Sequence, residues 1–252
     1  MRALLALIGL GVALTAGSAH AIQGGTPDGE GHPYVAFVRS GPAVCSGAAI
    51  SERLVVTAAH CFAAPGSAVQ VTFDPNRRSP SAVFHSGTWH PDAAFCAGCA
   101  GGLSGLATHD LAVVVLDAPA PRPRYASLPT PGLVGTLGNK TGVDLVGYGV
   151  EDFFAGGGPQ TPARPSGLRM TAPAELHSSN GSFGDEFLKL SATESQGKGG
   201  ACFGDSGGPV LLGGTDTLLA VNSFVANDLC SGVTYAYRLD TAAALGFVAQ
   251  FN

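Results

Sequence analysis

Short apolar runs recur along the chain between clusters of glycine and proline, at residues 34–38, 54–57, 69–73, 111–116, 143–148, 210–212, 218–224 and 235–239. None exceeds seven residues, a length that suits strands, whereas helices need about ten or more. Val69-Gln70-Val71-Thr72-Phe73 alternates apolar and polar residues with period two, the mark of a strand with one wet face. The run 111–116 is apolar throughout and fits a strand buried on both faces. The pattern predicts an all-β barrel or sandwich. One helix is expected, at the end of the chain. There Asp240 stands as a cap before 241–251, a stretch with no proline and a single glycine, Gly246.

The main break falls at residues 117–124, where Pro119, Pro121 and Pro123 alternate with other residues. Prolines at that spacing remove backbone donors and hold the chain extended, so the segment reads as the link between halves 22–120 and 121–252. Glycine-rich stretches at 98–105 and 155–167 read as loops, and no repeat of fixed period is present. Asn139-Lys140-Thr141 and Asn180-Gly181-Ser182 are glycan acceptor triplets, and they carry no assignment here.

Met1-Arg2 gives a short positive start, and residues 3–16 form an apolar run shorter than the ~20 residues of a spanning helix. Ala19-His20-Ala21 puts small residues at the first and third positions before a cut. Residues 1–21 therefore read as a secretory signal peptide that leaves Ile22 as the mature N-terminus, with a cut after Ala19 as the alternative. The expected destination is extracellular, or periplasmic in a Gram-negative host, with no membrane association after the signal is removed.

The chain has 252 residues, of which 45% are apolar and 12% charged, so it has ample material for a core and no signature of disorder. Its formal charge of −5, with 13 basic residues and no basic run, leaves no electrostatic footprint for nucleic acid or an anionic membrane. Nothing in the sequence implies an oligomer, and a monomer is expected. Six cysteines in a secreted chain imply disulfides, but six allow about 15 pairings and counting alone selects none of them.

Three segments carry candidate chemistry. Gly204-Asp205-Ser206-Gly207-Gly208-Pro209 flanks a serine with glycines that leave room for a close backbone approach. Leu54-Val55-Val56-Thr57-Ala58-Ala59-His60-Cys61 ends an apolar strand on a histidine, and Asp110 stands at the mouth of the apolar run 111–116, where an unpartnered carboxylate is costly. Each has an ordinary reading by itself: a turn, a structural histidine, a strand cap. Together, in the order His, Asp, Ser, they resemble the trypsin/chymotrypsin-like serine protease family, and the likeness extends over nearly all of the chain after Ile22, including the Gly147-Tyr148-Gly149 turn.

That resemblance implies two antiparallel six-stranded β-barrels with a C-terminal helix, and an active site in the cleft between them. His60 and Asp110 would come from the first barrel and Ser206 from the second. It implies Ser206 as nucleophile, His60 as its base, Asp110 as the partner of the far ring nitrogen, and the N–H groups of Gly204 and Ser206 as oxyanion donors. It also implies that the free amine of Ile22 inserts beside Asp205 and orders the oxyanion loop. Gln23 departs from the family's usual valine, while Ile22, Gly24 and Gly25 match. With almost no room for a propeptide, signal cleavage or the loss of His20-Ala21 would itself yield active enzyme.

By the same matching, Cys45 pairs with Cys61 and Cys202 with Cys230. Cys96 and Cys99 have no family counterpart; a small loop disulfide is the reading taken, with metal binding near His85 and His90 as the alternative. No cofactor is needed for this chemistry. For substrate, the resemblance implies that Gly200 would fall at the base of the primary pocket, where a carboxylate would select Arg or Lys, and that Val225 would narrow its mouth. Ser223 and Phe224 would border the bound peptide, and Phe203 would form an apolar lip. A shallow, apolar, elastase-like pocket is the expectation, with either Gly232 or Thr234 on its other wall and a deeper pocket as the alternative. The expected function is a serine endopeptidase acting on protein or peptide substrates. The alternatives are a catalytically silent binding homologue or an esterase on the same fold.

Overall fold

The computed structural model describes residues 22–99, 108–150, 153–154, 161–162, 166–178 and 185–252. The expected signal peptide, most of the two glycine-rich loops and the acceptor triplet at Asn180 lie outside the described residues. A two-residue strand, β1 (Thr26–Pro27), comes first. Strands β2 (Val35–Ser40), β3 (Ala43–Ala49), β4 (Leu54–Thr57), β5 (Ala68–Thr72), β6 (His85–Pro91) and β7 (Ala112–Leu116) close an antiparallel barrel in the order β2-β3-β4-β7-β6-β5.

After β8 (Gly142–Gly147), the short strands β9 (Phe153–Phe154) and β10 (Thr161–Pro162) pair only with each other. The chain continues through β11 (Met170–Ser178), β12 (Phe187–Ala192), β13 (Pro209–Leu212), β14 (Leu218–Val225) and β15 (Gly232–Arg238). Pairing of β8 with β11 closes a second six-stranded barrel, and β1 adds to it through Thr26 opposite Thr171. The chain after Ile22 thus starts on the second barrel before it builds the first.

The apolar runs of the sequence all fall in strands, each within a few residues of the expected bounds. Besides the two-residue strands β1, β9 and β10, four barrel strands were not visible as apolar runs. β3 (AVCSGAA) and β6 (HSGTWHP) are built from small and polar residues because their neighbours come too close for larger ones. A Cβ at Gly87 would stand 2.7 Å from the Val115 carbonyl, and one at Gly47 2.9 Å from the Val56 carbonyl. In β11 and β12, Ala, Thr, Lys and Ser break up what would otherwise be continuous apolar stretches.

One buried core fills the first barrel and extends to the second through Phe187, Leu211 and Tyr237, with the terminal helix packed on it through Phe247 and Val248. A separate core, which includes Ile22, fills the second barrel. Arg169, only 1% exposed, joins the two. Its Nε donates to Asp28 Oδ2 at 2.7 Å and its Nη1 to the Phe73 carbonyl at 2.8 Å. Beside it, Tyr148 Oη donates to the Asp74 carbonyl at 2.7 Å.

The helix differs in detail from the expectation. α1 (Ala242–Val248) is capped by Thr241, whose hydroxyl accepts the Ala244 N–H, and a 3-10 turn at Ala249–Phe251 ends it. Asp240 is drawn away by two stronger partners: Arg238, whose Nε lies 2.9 Å from its Oδ1, and the Val134 N–H at 2.8 Å from its Oδ2. Among the described residues no helix is long and apolar enough to cross a membrane.

Candidate active site

β4 runs into a single 3-10 turn at Ala59–Cys61 that presents His60, and the Cys45–Cys61 disulfide ties this turn to β3. On the neighbouring strand, a tight turn sets Asp110 just ahead of β7. His109 takes a positive φ of 51°, and the Leu111 N–H bonds back to its carbonyl at 2.8 Å. Asp110 is fully buried. Its Oδ1 accepts the His60 backbone N–H at 2.9 Å, and its Oδ2 accepts His60 Nδ1–H at 2.8 Å and the Ser223 hydroxyl.

Burial by itself would raise the Asp110 pKa, but the His60 charge, the His60 hydrogen bond and the Ser223 hydroxyl outweigh it and hold the value below the usual carboxylate range. Burial likewise disfavours the His60 imidazolium. The Asp110 charge and hydrogen bond overcome it and raise the His60 pKa above the ordinary imidazole value. His60 is therefore a stronger base than a free imidazole, with Nδ1 committed to Asp110 and Nε2 left for other work.

Ser206 sits in a turn that only glycines allow. Gly204 and Gly207 take φ of 95° and 76°. A side chain at Gly204 would run into Gly149 Cα at 2.9 Å, and one at Gly207 would collide with Thr57 Oγ1. The Asp205 carboxylate is buried and accepts the N–H groups of Gly149 at 2.8 Å and Cys202 at 2.9 Å. Ser46 of β3 grips the turn from the opposite barrel. Its N–H donates to the Ser206 carbonyl at 2.8 Å and its hydroxyl donates to the Gly204 carbonyl at 2.9 Å, while accepting the Tyr148 N–H at 3.0 Å.

His60 and Ser206 line one cavity of about 490 Å³ with Gly204, Phe203, Ser223, Phe224 and Val225. Ala201, Asn222 and Thr234 complete its inner wall. Val225 and Thr234 are direct cross-strand partners, so of the two residues left open by the sequence it is Thr234 that lines the cavity. The Phe224 ring stacks on Tyr235 at 4.6 Å, and Phe203 is 47% exposed at the lip. Gly200 does not line the cavity. It is buried one residue behind Ala201 and exchanges backbone hydrogen bonds with Gln23 at 2.9 and 3.1 Å.

Ile22 is fully buried in the second barrel's core. Gln23 has a use its family departure did not suggest: its Nε2 donates to the Leu229 carbonyl at 2.7 Å, in the loop that carries the cavity-lining Asn227 and Asp228. Cys202–Cys230 braces the same loop, and Cys96 and Cys99 are joined to each other. Among the described residues the one cluster with metal-ligand spacing is Cys45, His60 and Cys61, and its two cysteines are spent in a disulfide. Ser46, Asn222 and Arg169 escaped the sequence reading. The partners of Ser46 and Arg169 lie across the barrel junction, Asn222 lies in the cleft wall, and no local motif marks any of the three.

The family model for trypsin matches residues 21–242. The cercarial protease of Schistosoma mansoni is 29% identical over 200 residues, which span 71% of this chain and 69% of that protein. Among solved structures, an atomic-resolution structure of HBP superposes with a TM-score of 0.69 at 22% identity, over 92% of this chain and 97% of that one. Human heparin binding protein gives 0.65 at 21% identity, over 92% and 96%. At those identities the structural likeness speaks for the fold.

Proposed function

The chain belongs to the trypsin family, and from that premise we propose that it is a secreted serine endopeptidase. The observation that carries the reading is the buried Asp110 carboxylate bonded to His60 Nδ1, with His60 and Ser206 lining the same cavity. In the proposed reaction Ser206 Oγ attacks the scissile carbonyl while His60 Nε2 takes the hydroxyl proton. The same nitrogen then returns it to the leaving amine, and water releases the acyl group from Ser206 by the reverse sequence. Asp110 fixes the tautomer and offsets the charge that forms on His60. The N–H groups of Gly204 and Ser206 receive the developing oxyanion, each contributing about 2.7–4 kcal/mol in comparable sites.

The free amine of Ile22 is proposed to pair with Asp205 once the preceding residues are removed, so that signal cleavage completes the site. Three disulfides fit an oxidising destination. With Val225 and Thr234 paired on neighbouring strands in its wall, the primary pocket suits small or medium apolar side chains, and the carboxylate among its lining residues, Asp228, is exposed rather than buried. A peptide panel varying the residue before the scissile bond tests this. Cleavage after Ala, Val or Leu that disappears in Ser206→Ala supports it, and cleavage restricted to Lys or Arg refutes the pocket assignment.

A further inference from the structure

Asn222 stands in the wall of the cleft, next to the Ser223 that holds Asp110, and is 1% exposed. Its backbone is fully used: its N–H donates to the Gly208 carbonyl at 2.9 Å and its carbonyl accepts the Gly207 N–H at 2.7 Å. Those bonds fix it against the turn that bears Ser206. Its side chain is another matter. Both Nδ2 and Oδ1 are buried with no hydrogen-bond partner among the described residues. Nearly all buried polar groups are paired, and an unpaired donor and acceptor on one amide carry a desolvation cost that a ligand can remove.

We propose that Asn222 makes the primary pocket selective for a side chain with a carboxamide tip, asparagine or glutamine, over an apolar side chain of the same shape. The inference rests on the proteolytic reading but departs from its apolar preference, ranking a carboxamide above an apolar side chain of the same shape. The complement of an amide is a group offering one acceptor and one donor in a plane, and a carboxamide supplies both. A carboxylate would leave Oδ1 facing a second acceptor, and an ammonium would leave Nδ2 unpaired. The other polar group on the inner wall, Thr234 Oγ1, already accepts the Ala201 N–H at 3.1 Å. Ala201 and Val225 supply apolar surface for the methylenes of such a side chain. Asp228, the carboxylate lining the cavity, is exposed at its rim.

The test compares kcat/KM on peptides identical except for Asn, Gln, Leu, Val or Lys before the scissile bond, with active enzyme counted by fluorophosphonate titration. Wild-type enzyme is expected to favour Asn over Leu, its near-isostere, by about ten-fold or more, and Asn222→Leu to bring that ratio to one or below. Equal or better cleavage after Leu in the wild type overturns the proposal while leaving the protease reading intact, as does a ratio unchanged in Asn222→Leu. If that variant yields no titratable serine, peptide aldehydes ending in asparagine and leucine are compared on the wild type, and equal inhibition overturns the proposal. A wild-type protein that cleaves no peptide and takes no fluorophosphonate overturns the protease reading, and this inference with it.

Discussion

Ser46 touches the reaction without carrying any of it. By donating to the carbonyls of both Gly204 and Ser206, it orients the peptide groups of the turn whose N–H groups are the proposed oxyanion donors. Ser46→Ala keeps the backbone bond, frees the Gly204 carbonyl and strands the Tyr148 N–H. We expect kcat to fall about ten-fold with KM nearly unchanged, since the loss is felt where the oxyanion forms. Steady-state kinetics separate this from general loosening, which would move KM as well. For His60 the sign follows from its raised pKa: the neutral ring is the base, so the acid limb of kcat/KM should have its midpoint above the ordinary ~6.5. Asp110→Asn removes the charge that raises it, and the midpoint should drop. The three residues of the proposed triad stood out in the sequence because they sit in dense local motifs. Ser46 did not, because its role depends on which backbone groups the second barrel brings to it, and Asn222 did not, because only the fold shows its amide buried in the cleft wall without a partner among the described residues.

Strands announced themselves where they were apolar and hid where they were crowded. β4 matches its run at Leu54–Thr57, whereas β3 and β6 needed Gly47 and Gly87 to let neighbours approach and so lost their apolar pattern. The helix cap was misjudged by one residue, because an isolated sequence does not show that Asp240 is claimed by Arg238 and Val134. The segment after Ile22 shows how an element can serve the site. Through Gln23 it pairs with Gly200 on one side and holds the Leu229 carbonyl on the other. Gln23→Val restores the family's usual residue but releases the loop 226–231 from that segment. KM for peptides that fill the primary pocket is expected to rise about five-fold, the worth of one partly buried hydrogen bond, while titration of Ser206 by fluorophosphonate stays complete.

The two barrels are held to one another by more than apolar contact. Arg169 is buried with Asp28, and Asp28 Oδ1 also lies 2.6 Å from His32 Nδ1. Burial acts to raise the Asp28 pKa, but the His32 and Arg169 hydrogen bonds and charges overcome it and leave the value lowered. A carboxylate lowered in the fold contributes stability that is complete above its unfolded pKa of ~3.9 and is lost as pH falls through the lower folded value. Asp28→Asn should therefore weaken the protein at neutral pH and flatten its acid unfolding below about pH 4. Arg169→Met, which takes from the buried Asp28 its guanidinium partner and leaves it only the His32 bonds, should cost about 3–5 kcal/mol by urea unfolding. Neither the pair nor the junction it spans was readable beforehand, since Asp28 and Arg169 are far apart in the chain and unremarkable in their neighbourhoods.

The central claim is that Ser206 is an activated nucleophile in a molecule that begins at Ile22. Intact mass of the secreted protein before and after a fluorophosphonate tests it, with Ser206→Ala beside it. The account predicts a mass beginning at Ile22, three oxidised cysteine pairs, and one adduct per molecule that is absent from the variant. No adduct on protein that does begin at Ile22, or full labelling of protein that begins at His20, would contradict it.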